Sequence, residues 1–186
     1  MAPEAAEAYV FRGPVMKRLT AEQFLDGIRA VVDVWPAPDG KAFKAGGRGQ
    51  GAQLSAVMAA HGLEEWDQRP IRSAFQVRDP LQAALGRPNR EQVVTARPDM
   101  VTTLEAITLA NGPHLAELLK AGAAKLAAEA SLDGLVERLY LGALSRKPTT
   151  AERAVARSLV GSPPDAEGIE DLLWTVFMLP EYQFNQ

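Results

Sequence analysis

Leu132, Leu135, Val136, Leu139, Tyr140 and Ala143 recur at i, i+3, i+4, i+7, i+8 and i+11. Only an α-helix puts that spacing on one side, and such an apolar face has to be buried. Ile169, Leu172, Leu173, Val176 and Phe177 repeat the pattern before Pro180 stops it. Each run is bounded by its own start and stop signals. Thr149 and Glu152 have the spacing of a capping box, and Gly161 with Pro163-Pro164 ends the helix they open. Thr20 with Gln23, and Thr102 with Glu105, form two further capping boxes. With 31 alanines and no sustained alternating pattern, the chain reads as all-α, an irregular bundle of six or seven short-to-medium helices with long polar loops.

The remaining boundaries follow from prolines and glycines. Leu25, Ile28, Val32 and Trp35 continue the stripe opened at Thr20 until Pro36, and Pro38-Asp39-Gly40 makes a turn. Residues 41–51, with four glycines and three cations, predict a loop leading into a short helix over Gln53–Ala60. Asp79 before Pro80 starts a helix of barely two turns that Gly86 ends. Val93-Val94-Thr95 is suited to a brief extended segment. Asn111-Gly112-Pro113 breaks the helix opened at Thr102, and a new one runs from Pro113 through Leu115, Leu119 and Leu126, weakened by Gly122. These limits describe a single helical domain over 1–186: an extended lead over 1–19, the Gly/Lys/Arg loop over 41–51, an irregular Arg-rich stretch over 63–101, and the most regular part over 102–186.

Chemistry is restricted by what the chain lacks. Without a cysteine there is no thiolate nucleophile, zinc ribbon, iron–sulfur cluster or covalent haem attachment. A net charge of −3 and a pI near 5.5 give no global field for nucleic acid, which is not expected as a partner. No run approaches a membrane span, and the first fifteen residues lack the basic and apolar regions of a signal peptide.

Four groups remain as candidate sites. His61 and Glu64 are spaced to meet as metal ligands or an acid–base pair, but His114 is the only other histidine and a catalytic metal wants three protein ligands; no metal site is expected. Arg87, Asn89, Arg90 and Arg97, following Arg69, Arg72 and Arg78, could grip a carboxylate, sulfate or phosphate; pairing with carboxylates such as Glu91 and Asp99, and with loop carbonyls, is the plainer reading. Trp35 and Trp174 belong in or beside helical apolar stripes, and Trp66 and Phe75 read as apolar anchors of the irregular stretch. Tyr182 and Phe184 are expected to fold back onto the bundle.

Four blocks, at 11–28, 84–112, 139–152 and 171–185, together resemble the planctomycete-specific domain of unknown function at the C-terminal end of large exported proteins that carry cytochrome c-like domains. Arg87-Pro88-Asn89-Arg90, Arg97, Thr102 and Asn111 fall on its most characteristic positions; Glu105 stands where members often have Gln. The resemblance implies an exported or periplasmic protein, with haem c in another domain and no cofactor in this chain. It also implies that the chain is the later portion of the domain, lacking a preceding tryptophan-rich helical segment. The function expected from it is a non-catalytic module that docks or organises upstream domains of the same polypeptide, or a second copy. The alternative is a domain that binds or processes anionic polysaccharide through its Arg-rich loops. Docking requires an apolar helix face left exposed.

Overall fold

The computed structural model describes residues 13, 16–36, 71–76, 79–88, 93, 101–128 and 131–185. The expected 41–51 loop, the Gln53–Ala60 helix, most of the Val93–Thr95 run and the first twelve residues lie outside them. Within them the fold is all-α. Six helices of nine to fourteen residues, α1 (Ala21–Val32), α3 (Thr103–Asn111), α4 (Pro113–Leu126), α5 (Leu132–Leu144), α6 (Thr150–Val160) and α7 (Ala166–Phe177), are joined by the short α2 (Pro80–Ala84) and α8 (Pro180–Gln183). One two-stranded bridge, β1 (Lys17–Arg18) with β2 (Phe184–Asn185), runs antiparallel and ties the two ends of the described chain together.

Local chemistry places the boundaries. Thr20 and Gln23 complete a capping box at α1, and Thr149 and Glu152 complete another at α6. Asp79 accepts the N–H groups of Leu81 and Gln82 to cap α2. Gly161, at φ +76°, ends α6 in a conformation that side chains disfavour. α1 stops earlier than its stripe suggests. Asp33 adopts the left-handed conformation at φ 51°, and Lys125 donates to its carbonyl at 2.8 Å and pairs with its carboxylate. An aspartate tolerates that geometry, so the helix ends at Val32, four residues before Pro36, and Trp35 lies beyond it.

α7 is the centre of the core. Ile169, Leu173, Val176 and Phe177 are wholly buried, with α4 and α6 packed along them and α5 and α8 closing the sides. α1 crosses α4 and α5 on the far side. At the α1–α4 crossing Gly122 has a purpose that helix propensity hides. A Cβ there would lie 2.7 Å from Val32 Cβ, so glycine permits an approach that alanine would obstruct. Tyr182 folds back as expected: its ring meets Phe24 and Phe177 edge-on at 5.5 and 4.8 Å, and its hydroxyl donates to Phe24 O at 2.7 Å. Two aromatic expectations are reversed. Phe75 is 68% exposed, because its 3₁₀ turn (Ser73–Phe75) is held by polar contacts of Ser73 rather than by the ring. Trp174 is 41% exposed, since it lies opposite the stripe that α7 buries, with only its indole N–H anchored, to Leu109 O at 3.2 Å.

Candidate functional site

Glu22, Asp26 and Arg29 stand at i, i+4 and i+7 on α1 and form a polar stripe facing residues among 73–76 and 79–87. Asp26 Oδ1 accepts the Ser73 N–H at 2.8 Å, and Arg29 donates to Ser73 Oγ at 2.6 Å and to Gln76 Oε1 at 3.1 Å. Asp79 Oδ2 lies 3.7 Å from Arg29 Nη2, and Gln82, fully buried, donates to Gln76 Oε1 at 2.8 Å. Burial pulls the Arg29 guanidinium below its ordinary range, against the opposing pull of Asp79 and Asp26.

Arg87 closes this network. It donates to Ser73 O at 2.9 Å, to Ala74 O at 2.8 Å and to Gln82 Oε1, and its Nε lies 3.4 Å from Glu22 Oε1. Its donors are committed within the fold. Arg87, one of two described members of the arginine set, therefore clamps Ser73, Ala74 and Gln82 against Glu22 of α1; the other, Arg72, is exposed. Asn89, Arg90 and Arg97 lie outside the described residues, as do Arg69, Arg78, His61, Glu64, Trp66, Glu91 and Asp99. His114 is exposed in the first turn of α4. Among the described residues no group of three or more His, Asp or Glu side chains could hold a metal, and no helix is long and apolar enough to cross a membrane.

A second cluster joins the α5–α6 turn to the end of the chain. Arg146 donates to both Glu152 oxygens, at 2.7 and 2.9 Å, and to both Glu181 oxygens at 2.8 Å, and it lies over the Tyr140 ring at 5.5 Å. Its hydrogen bonds, reinforced by Thr149 N–H, hold Glu152 at about 2, and they lower Glu181 as well. A carboxylate with a depressed folded-state value stabilises the fold above its ordinary value of 4.5 and loses that contribution as pH falls through the depressed one. In Arg146→Met, the decline of stability between pH 4.5 and about 2 should therefore be shallower than in the parent. Acid titrations followed by circular dichroism read this directly; parallel acid limbs would refute it.

α3 has the opposite of an amphipathic arrangement. Thr102 accepts the Glu105 N–H at 3.2 Å, but the return half of the expected capping box is absent because the Glu105 side chain turns inward. There it takes both guanidinium nitrogens of Arg18 from β1, one at 2.7 Å. With Glu105 only 3% exposed and Leu109 buried on the same side, Leu104 and Ile107 are left 64% and 57% exposed, and Val101, just before the helix, 52%. Asn111 is the exposed last residue of α3. The only charged side chain of the helix is inside with Leu109, and two of its three large aliphatic residues, Leu104 and Ile107, are outside. Sequence spacing missed Arg18, whose partner lies 87 positions away; the Glu22–Asp26–Arg29 stripe was available in the one-letter pattern.

A family model described as PSD1, a protein of unknown function (DUF1553), matches residues 2–160. That span ends with α6, so the fourth block, at 171–185, lies beyond it. No curated protein and no solved structure matches the chain.

Proposed function

The chain belongs to the PSD1 family of proteins of unknown function, and we propose that it serves as a non-catalytic helical module docking other domains of a larger, exported, cytochrome-associated polypeptide. The observation that carries this reading is α3. A surface helix of a self-sufficient monomer turns its leucines and isoleucines inward, whereas Leu104 and Ile107 face out and Glu105 faces in. Leu104 and Ile107, one turn apart on the same outward side, offer apolar surface suited to a contact. The planctomycete context, the export and the haem-bearing neighbour come from the family resemblance alone.

Gripping of anionic polysaccharide is the weaker reading. Arg87 would have to abandon Ser73 O, Ala74 O, Gln82 and Glu22 to hold a sulfate or carboxylate, leaving the buried Gln82 amide oxygen without this donor.

Site-specific photo-crosslinking in the longer polypeptide tests docking. A photoreactive residue at Ile107 should give a discrete crosslink to another domain, and the same group at the exposed Ala151 of α6 should not. Equal, diffuse labelling at both positions would overturn the proposal.

A further inference from the structure

Resting on the docking reading for its use, we propose that the outward face of α3 is set by a conformational latch: β2 holds β1, β1 presents Arg18, and Arg18 keeps Glu105 inside. α3 has little else to hold it. Of its nine residues only Glu105 and Leu109 are buried. Leu109 O takes the Trp174 indole N–H, and α2 is the main packing neighbour of the helix. Glu105 is its only charged residue, so the contact with Arg18 is the one ion pair it can make. A helix of this length with so few buried side chains turns or frays once that pair is let go.

Arg18, in turn, is not positioned by α1. That helix is capped at Thr20, and Lys17 and Arg18 precede the cap. They are held extended because Lys17 pairs with Asn185 and Arg18 with Phe184, while the Leu19 N–H donates to Gln183 O at 2.9 Å. Gln183 also lines the small cleft beside Arg18 and Glu105, so the bridge and the ion pair adjoin. The other end of the latch is fixed to the bundle: the Tyr182 hydroxyl donates to Phe24 O at 2.7 Å, and Glu181 takes two hydrogen bonds from Arg146. The weak link is therefore the bridge itself, since two short strands alone are marginal in water. The pair it aligns is buried, and neither charge tolerates that place without the other. When β2 lets go, Arg18 follows β1 into solvent, and Glu105 turns α3 outward to regain water. Leu104 and Ile107 then lose their fixed presentation. A contact that braces β2 would hold the docking face ready, and one that strips β2 away would dismantle it.

Amide hydrogen exchange on the intact chain, resolved by NMR, tests the latch. Asn185→Pro, which strand pairing tolerates poorly, should raise exchange of the Ala106 and Leu109 amides at least about tenfold, with the Leu173 and Phe177 amides of α7 changed less than about twofold. Phe184→Gly with Asn185→Gly is a milder break and should move the same amides in the same direction. In Arg18→Met with Glu105→Leu no ion pair is left for the bridge to align. Adding Asn185→Pro to that background should therefore change the α3 amides by less than about twofold. The latch is overturned if neither bridge variant moves the α3 amides, or if both raise them only together with those of α7. It is overturned equally if Asn185→Pro acts as strongly in the background without the pair. The measurement needs no partner, so docking stands or falls separately, on the Ile107 crosslink.

Discussion

Glu105→Ala should destabilise the chain by about 3–5 kcal/mol, the cost of leaving one member of a buried ion pair without its partner. Arg18 and Glu105 side chains are 14% and 4% exposed, and the contact is bidentate. The cleft beside them, between Leu19, Phe24, Leu85 and Gln183, has a volume of only about 10 Å³, room for a single water at most. Truncation would leave the largely buried guanidinium without its carboxylate. Glu105→Gln retains acceptor capacity for Arg18 and should cost roughly half as much. Arg18→Met combined with Glu105→Leu removes both charges and should restore stability to within about 1–2 kcal/mol of the parent, the behaviour of buried pairs replaced by apolar residues. Equilibrium urea unfolding measures all three. A loss below about 1 kcal/mol for Glu105→Ala would place the pair in the range of solvated surface bridges and contradict its role. The pair also fixes which way α3 faces: with Glu105 held inward, Leu104 and Ile107 have nowhere to go but out.

That coupling explains what the one-letter pattern could and could not reveal. Helix existence was legible because its causes are local. Thr20 with Gln23, Thr149 with Glu152, Asp79 before Pro80, and Gly112-Pro113 act within four residues of the boundary they set. The faces of α5 and α7 were legible because five or more apolar residues outvote any single contact. α3 is too short for such a vote. In TLEAITLAN one acid with a distant arginine partner decides the orientation against the leucine and isoleucine beside it. Trp174 and Phe75 were misplaced for a related reason, because ring size favours burial in general but the neighbouring polar contacts, Trp174 to Leu109 O and Ser73 to Asp26, set the local geometry first. Arg87 was visible as a candidate; its acceptors, contributed by Ser73, Ala74, Gln82 and Glu22, come together only after folding.

Gly168→Ala is the second substitution with a large expected effect. Gly168 is the third residue of α7, where α6 and α7 approach after a turn of a few residues. A Cβ at that position would fall on the Leu159 carbonyl oxygen and within 2.8 Å of Val160 Cα. Both obstacles are backbone, so no rotamer change can move them. They are also held in place: Val160 is wholly buried, and its carbonyl accepts the Asp165 N–H at 3.0 Å to shape the turn. Accommodation requires the two helices to separate along the packed stripe that contains Ile169 and Leu172. Overpacking of this kind costs about 1–3 kcal/mol or more. Alanine's intrinsic helix advantage of up to about 1 kcal/mol offsets only part of it. Because both obstacles are backbone, the net loss should lie at the upper end, about 2 kcal/mol; at about 2–4 °C per kcal/mol for a chain of this size, the melting temperature should fall by about 4–8 °C. Gly122→Ala supplies the comparison: its nearest obstacle, Val32 Cβ at 2.7 Å, is likewise fixed to a helix backbone but lies farther from the added methyl than the Leu159 carbonyl oxygen does at Gly168, so its loss should be smaller. If Gly168→Ala melts with the parent, or if Gly122→Ala is the more damaging of the two, the α6–α7 junction is not a rigid backbone contact.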